Sequence, residues 1–560
     1  MTTHTAIPHM LSWLEAPPPE HSLRFSDGHG TWSTHPYPEM ARQVRRNAYR
    51  LRRAGVGRGD VVLLLGRNTI GFVTSLYGIL HAGATPAIVA PSAPEEMEGR
   101  LRKVIAAARP AALLAAVDHA PLLESAVRPL GCRVLVEAED GPMDDGGSEL
   151  PETALIQFSS GSTGDPRGVR ITWSALNTHL FGIHDWLSFD RNSRAVSWLP
   201  FYHDLGLVGC LLMPLALGAS SSYMPPQEFI GHPLRWLHEI SRSGETASAI
   251  ASFSLPHLLR RVRPEHVAGL DLSRLRSLVI GAERIDPDAL SAFHRLLAPA
   301  GLAHGSLLPA YGMAEATLGV TGLRPDAREI HSQLVDMGAL EVGKPAPLSA
   351  DHDDPATSRL VSSGRPLDGM GADILDADGE LLPEGMFGEI AVSGYSLATG
   401  YLNGPAAAFG DRFRTGDMGF KIDDELYVVG RAGDSVKVNG RPLFAEDVQA
   451  LATAAAPRPQ RVVALLGDLR GVSTAVVVIK GSTAPAASAV GRAVAARLPG
   501  LRVMALLAPA GSVRRTTSGK PRRKLMWQEL MMSGAWESQV VWDSRGPDIG
   551  WSADRSAAEL

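Results

Sequence analysis

Residues 60–91 read DVVLLLGRNTIGFVTSLYGILHAGATPAIVAP, and their punctuation decides the fold class. The apolar run VVLLL stops at Gly66, NTIGFVTSLYGILHAGA has the length and period of a helix, and TPAIV is a second apolar run that stops at Pro91. Both runs lack polar alternation, as strands covered on both faces do. Outward from there, ALLAA, RVLVEA, RAVSWLP, ASAIAS and LRSLVIG read as further strands, with HPLRWLHEISRS and PDALSAFHRLLA as helices between them. Strand and helix in alternation predict a mainly parallel α/β body. Past about residue 365 the character changes to short strands with turn signals (GADILDADGELL, GEIAVSGY, DDELYVVGR), a β-rich subdomain. Beyond Arg431, RVVALLG, TAVVVIK and LRVMALL alternate with helical AEDVQALATAA and ASAVGRAVAARL, which predicts a separate, small α+β domain. Asp326–Pro366 is polar and weakly periodic and reads as a long inserted loop, and the tail after Trp536 as loosely ordered.

The chain has 560 residues and a formal net charge of −5, which gives no sign of a nucleic-acid or membrane-surface partner. Cys132 and Cys210 form neither a disulfide framework nor a CxxC pair, so a cytoplasmic location is expected. The N-terminus shows no signal-peptide pattern, and the apolar stretch LGLVGCLLMPLALGA is too short to span a bilayer. Oligomeric state is not legible. The acidic DHDD at 351–354 reads as solvated surface. Lysine is scarce, at seven residues against 47 arginines, so each lysine is worth locating.

Residues 157–169 read QFSSGSTGDPRGV. Glycines let backbone N–H groups approach an anion, and hydroxyls supply further donors. A Ser/Gly linker would share the composition, but an apolar strand precedes this stretch and VRITWSAL follows it. No GK[ST] ends it, so it is not a Walker loop. SSGSTGDPRGV resembles the phosphate loop of the adenylate-forming superfamily, with Arg167 where that family often has lysine. WLPFYHDLGLVGCLLMPLALG, GAERI, AYGMAEATLG, FRTGDMG, VVGRAGDSVKVNGRPLFAEDV and RTTSGKPRRK follow in the family's order. Within the superfamily the likeness is to fatty acyl-AMP ligases, carried by WLPFYHDLGLVG, by PLRWLHEISR with SFSLPHLLRR, and by LVSSGRPLDG after the long insert.

The resemblance implies a body over 1–430, a hinge at 431–435 and a mobile domain over 436–560, with the insert at about 326–366. It implies that Ser159, Ser160, Gly161, Ser162, Thr163, Gly164 and Arg167 hold ATP phosphates. Gly281, Ala282, Glu283, Tyr311, Gly312 and Met313 would take adenine, Asp417 both ribose hydroxyls, and Arg431 would add a donor to the ribose or phosphate. Glu315 is the implied Mg²⁺ ligand, and Lys520 the mobile catalytic lysine, with Lys437 helping to hold the substrate carboxylate. Phe201, Tyr202, His203, Gly206, Phe253 and Leu255 are the implied acyl pocket; His203 reads equally as a gate near the acyl carbonyl, a pocket wall or a satisfied core histidine. The segment Ala251-Ser252-Phe253-Ser254-Leu255 departs from the subfamily's tunnel sequence, so the tunnel is altered. Gly433 stands where the family's hinge has Asp or Lys.

The implied reaction joins ATP and a large hydrophobic carboxylic acid, a fatty acid or a bulky natural-product acid, into acyl-AMP with release of pyrophosphate, for transfer to a carrier protein or a separate thiolation partner. A complete acyl-CoA ligase is the alternative. Inserts of this kind are associated with restraint of the small domain, which implies poor turnover of CoA.

Overall fold

The computed structural model describes residues 9–91, 94–115, 120–137, 140–143, 146, 149–159, 166–325, 327, 329–351, 357–402, 404, 409–438, 441–457, 462–469, 471–509, 512–515, 520–533 and 539–546. Val61–Leu65 and Thr85–Val89 are neighbouring parallel strands in register Leu63 to Ala87, joined by the helix Ile70–His81. Thr69 caps that helix, its side chain accepting from the Phe72 amide, and Gly83 follows its end at φ 85°. All five residues of Thr85–Val89 are buried, which accounts for the missing alternation.

These strands sit in a seven-stranded sheet. Its order is Gly400–Tyr401, Arg167–Thr172, Thr153–Ser159, Thr85–Val89, Val61–Leu65, Ala112–Ala115, Val134–Val136. The last five are parallel to their neighbours, while Arg167–Thr172 turns back antiparallel to Thr153–Ser159. A nine-stranded sheet has Arg194–Ser197, Ala247–Ala251, Ser277–Gly281 and Leu307–Gly312 side by side and parallel. One core joins the sheets, drawing Leu64 and Leu155 from the first and Phe25 and Tyr223 from the second. The run LGLVGCLLMPLALGA lies in this interior as a π-helix, Leu205–Leu212, that continues into Met213–Ala216. Among the described residues no helix is long and apolar enough to cross a membrane.

Met370–Leu375, Gly388–Gly394, Arg412–Ile422 and Glu425–Arg431 form an antiparallel sheet. One 3₁₀ turn, Ala432–Asp434, leads from it to the hairpin Ser435–Val438 and Arg441–Phe444. Beyond lies a sheet of Val462–Asp468, Ser473–Lys480, Arg502–Ala508 and Val540–Asp543, with helices Ala445–Ala455, Ala484–Arg497 and Arg523–Ser533.

Two expectations need correction. The insert is not a plain loop: Ser332–Asp336 pairs antiparallel with Thr357–Val361. Val335, Met337, Leu340 and Leu360 are buried against Phe387, Phe420, Tyr427 and Phe444. Its apolar residues find partners more than 20 positions away, so no local period announces them. The tail also contributes a strand, Val540–Asp543, which Arg502 holds through Asp543 at 2.5 Å. Of the DHDD cluster, all but Asp351 lies outside the described residues.

Candidate active site

A cavity of about 2000 Å³ opens where the C-terminal ends of the parallel strands, the β-rich subdomain and the small unit meet. Ligand crevices of open α/β sheets form at such strand ends. Its polar lining includes Gln157, Arg167, His203, Asp204, Glu283, Glu315, Asp417, Arg431, Arg515 and Lys520.

The strand Ser277–Gly281 ends at the cavity, and Ala282 continues it at φ 70°, in a region that residues with a Cβ rarely occupy. Across from it, Gly312 admits no side chain, since an added Cβ would lie 1.9 Å from the Leu318 carbonyl oxygen. Backbone is thus presented at the cavity wall in both places, which suits a flat base. Between them the Tyr311 hydroxyl donates to Asp417 Oδ2 at 2.8 Å, and Arg431 Nε donates to Oδ1 at 3.0 Å. Each carboxylate oxygen retains acceptor capacity, as a pair of ribose hydroxyls requires. The Asp417 charge raises the Arg431 guanidinium above its ordinary value.

Glu315 stands on a tight turn in which Met313 N donates to the Leu318 carbonyl at 2.7 Å and Thr317 is held at φ 66° by its hydroxyl on the Ser396 carbonyl. The Tyr401 hydroxyl donates to Glu315 Oε1 at 2.8 Å. Tyr401 pairs with Val169 on the strand leaving the phosphate loop, and Arg167 lies 5.3 Å from its ring centroid. One short strand therefore ties the strand that begins at Arg167 to the glutamate. Burial pushes the Glu315 carboxyl up, with the Tyr401 hydrogen bond opposing. A half-buried carboxylate facing a cavity lined by cations fits a single-ligand Mg²⁺ site, because Mg²⁺ keeps several waters and takes its other ligands from phosphate.

On the acid side, His203 Nδ1 lies 2.5 Å from Asp204 Oδ1, and Asp204 also caps the π-helix through Leu205 N at 2.7 Å. Burial pushes the Asp204 carboxyl up, but His203, the Leu205 amide and the Lys520 charge more than offset this and hold it below the usual range. Lys520 lines the same cavity from the small unit. Apolar wall comes from Ile183, Trp186, Val196, Met213, Ala249 and Phe253. Phe253 is backed edge-on by Trp198, which stacks on Phe229 at 3.9 Å.

The structure brings together Arg167, Gly281, Ala282, Glu283, Tyr311, Gly312, Met313, Glu315, Asp417, Arg431, Gly433 and Lys520, with Tyr202, His203 and Phe253. Ser159 ends its strand, while Ser160, Gly161, Ser162, Thr163 and Gly164 lie outside the described residues. Other expected residues stand elsewhere. Phe201 and Leu255 are fully buried core residues behind the wall. Gly206 is packed under Pro200, whose carbonyl oxygen an added Cβ would approach to 2.3 Å. Lys437 is exposed and absent from the lining, because its neighbours Val436 and Val438 take the core-facing positions of a strand with period two. Missed in the sequence were Asp204, Tyr401, Arg284 and the walls Ile183, Trp186 and Met213. The apolar ones look like any core residue, and Tyr401 and Arg284 act across contacts distant in sequence.

A family model described as "AMP-binding enzyme" matches residues 13–402. FadD21 of Mycobacterium tuberculosis (strain H37Rv), provisionally named a fatty-acid–CoA ligase, is 31% identical over 548 residues, covering 88% of this chain and 90% of that protein. JamA of Moorena producens, a medium-chain-fatty-acid–[acyl-carrier-protein] ligase, is 28% identical over 543 residues, covering 90% and 91%. A solved structure from a study of fatty acyl-adenylate ligases of E. coli and L. pneumophila superposes with a TM-score of 0.86 at 28% identity, covering 95% of this chain and 99% of that one. With the family model spanning most of the chain and a relative 31% identical over nearly its whole length, the chain belongs to the AMP-binding enzyme family of adenylate-forming ligases.

Proposed function

We propose that the protein converts ATP and a large hydrophobic carboxylic acid into acyl-AMP and pyrophosphate, and passes the acyl group to the phosphopantetheine thiol of a carrier protein. The observation that carries this reading is the convergence of Lys520, Glu315, Asp417 and Tyr311 with an apolar wall on one cavity. In the reaction a carboxylate oxygen bonds to the α-phosphorus as the bond to the leaving pyrophosphate breaks. Two anions must meet, so fixed cations matter most. Lys520 and Arg167 supply them here, Asp417 and Tyr311 orient the nucleoside, and His203 with Asp204 borders the acid end. Mg²⁺ held by Glu315 would neutralise phosphate charge. Lys437, exposed in this pose, is proposed to act only in another pose of the small domain.

The carrier-protein acceptor is supported by the name of JamA and by the packed insert, which touches the small unit through Phe444. The name of FadD21 favours the second reading, a complete CoA ligase. The two buried, unpaired cysteines suit a cytoplasmic location. Acid-dependent exchange of pyrophosphate into ATP, run over acids of varied length and width, tests the first half of the reaction. Exchange with wide or long acids is expected; no exchange with any acid on the panel would refute adenylation.

A further inference from the structure

Arg284 follows directly on the adenine-side residues Gly281, Ala282 and Glu283, and it is the point at which three parts of the molecule meet. Its Nη1 donates to Asp447 Oδ1 at 2.6 Å, in the first turn of the small unit's helix Ala445–Ala455. Its Nη2 donates to Ser358 Oγ at 2.6 Å, on the insert strand Thr357–Val361. The two bonds use the fork of the guanidinium, which fixes its plane as a lysine ammonium could not. Both ends are shielded, with side-chain exposures of 18% and 10% for Arg284 and Asp447. Asp447 Oδ2 is buried without a hydrogen-bond partner among the described residues, so Arg284 is the charge that compensates this carboxylate. Burial pushes the Asp447 carboxyl up and the Arg284 charge opposes it. On the body side the loop is pinned as well, because the Ser252 hydroxyl donates to the Glu283 carbonyl at 3.1 Å and Ser252 adjoins the wall residue Phe253.

We infer that Arg284 is a positioning residue for adenylation: it docks the small unit so that Lys520 enters the cavity, and Ser358 of the insert sets its aim. Without it Asp447 would remain buried and uncompensated in this pose, a strong penalty that disappears if the small unit swings away. The insert thereby acts on the small unit through one hydrogen bond to an arginine of the nucleotide site as well as by apolar packing. This inference rests on the adenylation reading above and deepens it.

The test uses the full chain with Arg284→Ala, Asp447→Ala, the double variant and Ser358→Ala, in acid-dependent pyrophosphate exchange and in trypsin cleavage between body and small unit. Arg284→Ala should lower the exchange kcat by roughly ten- to a hundredfold, a usual range for coupling between sites, while the KM for ATP changes far less. Cleavage should accelerate in parallel, and the double variant should lose no more than the worse single one. Ser358→Ala should show the same signature, smaller in size. If Arg284→Ala fails to fold, Asp447→Ala and Ser358→Ala carry the test with the same two readouts. Wild-type exchange and cleavage in the folded variants, or losses that multiply in the double variant, would overturn the inference. Absence of exchange in the unmodified protein would instead strike the adenylation reading itself.

Discussion

Lys520 of the small unit and Asp417 of the β-rich subdomain line one cavity, and their proposed roles would separate in kinetics. A cation that meets charge developing at the α-phosphorus stabilises the transition state, so Lys520→Ala should lower pyrophosphate exchange by roughly two to four decades and leave ATP binding near normal. Exchange at the wild-type rate would remove Lys520 from its role. Asp417, bonded to Tyr311 and Arg431, is proposed to hold the ribose, whose hydroxyls do not change during reaction. Asp417→Ala should therefore raise the KM for ATP more than it lowers kcat, and a pure kcat effect would contradict the ribose assignment. Away from the site, the single hydroxyl hydrogen of Ser222 lies between Glu239 at 3.0 Å and Glu245 at 3.1 Å. Burial pushes the Glu245 carboxyl up to about 8 from 4.5. The folded state thus holds the proton more tightly than the unfolded one, so its stabilising effect is full below about pH 4.5 and is lost as pH rises towards 8. Glu245→Gln should raise the melting temperature at pH 8, with the gain shrinking towards pH 5; an equal gain at both would show that the carboxyl is not protonated in the fold.

Elements were legible in proportion to how locally they are specified. Residues 61–89 carry their own caps and apolar runs, and the strand–helix–strand unit stands where it was read, with the helix Ile70–His81 shorter than the 17-residue stretch expected. Gly281 to Glu283 and Asp417, which all line the cavity, were likewise legible, because short local signatures mark them. The insert strands Ser332–Asp336 and Thr357–Val361 were not, since what stabilises them is burial of Val335 and Leu360 against a distant sheet. The acyl wall is mute for the same reason. Trp186 and Met213 occupy apolar faces like those of a solid core, and only the assembled structure shows the space beside them. Packing also sets what an insert deletion would do. Removing it whole would uncover Phe387 and Phe420, so Leu360→Ala is the sharper probe: a loss of about 2–5 kcal/mol is expected for a buried leucine. A urea titration should show a lower midpoint at unchanged slope, and an unshifted midpoint would mean the strand packs loosely.

At the scale of the whole molecule, the small unit is held in one pose by contacts of different kinds. Phe444 packs with Met337 and Leu340 of the insert, and Arg284 pairs with Asp447. At the hinge, Arg523 joins Glu446 at 2.8 Å and Asp434 at 3.7 Å, so the segment just after Lys520 is tied to the turn about which the unit would rotate. Gly433 itself is unencumbered, with nothing within 4 Å of an added Cβ. Rotation would therefore be opposed by the docked surfaces and by the Arg523–Asp434 pair, but not by Gly433. A unit so held should complete adenylation readily and release the adenylate only to an acceptor that compensates the lost contacts. The most direct measurement loads the protein with acid and ATP and then supplies either CoA or a holo-carrier protein, following AMP release and thioester together. The account predicts that acyl-AMP accumulates alone and with CoA, and discharges on the carrier protein. Steady acyl-CoA formation at the rate of adenylation would contradict it.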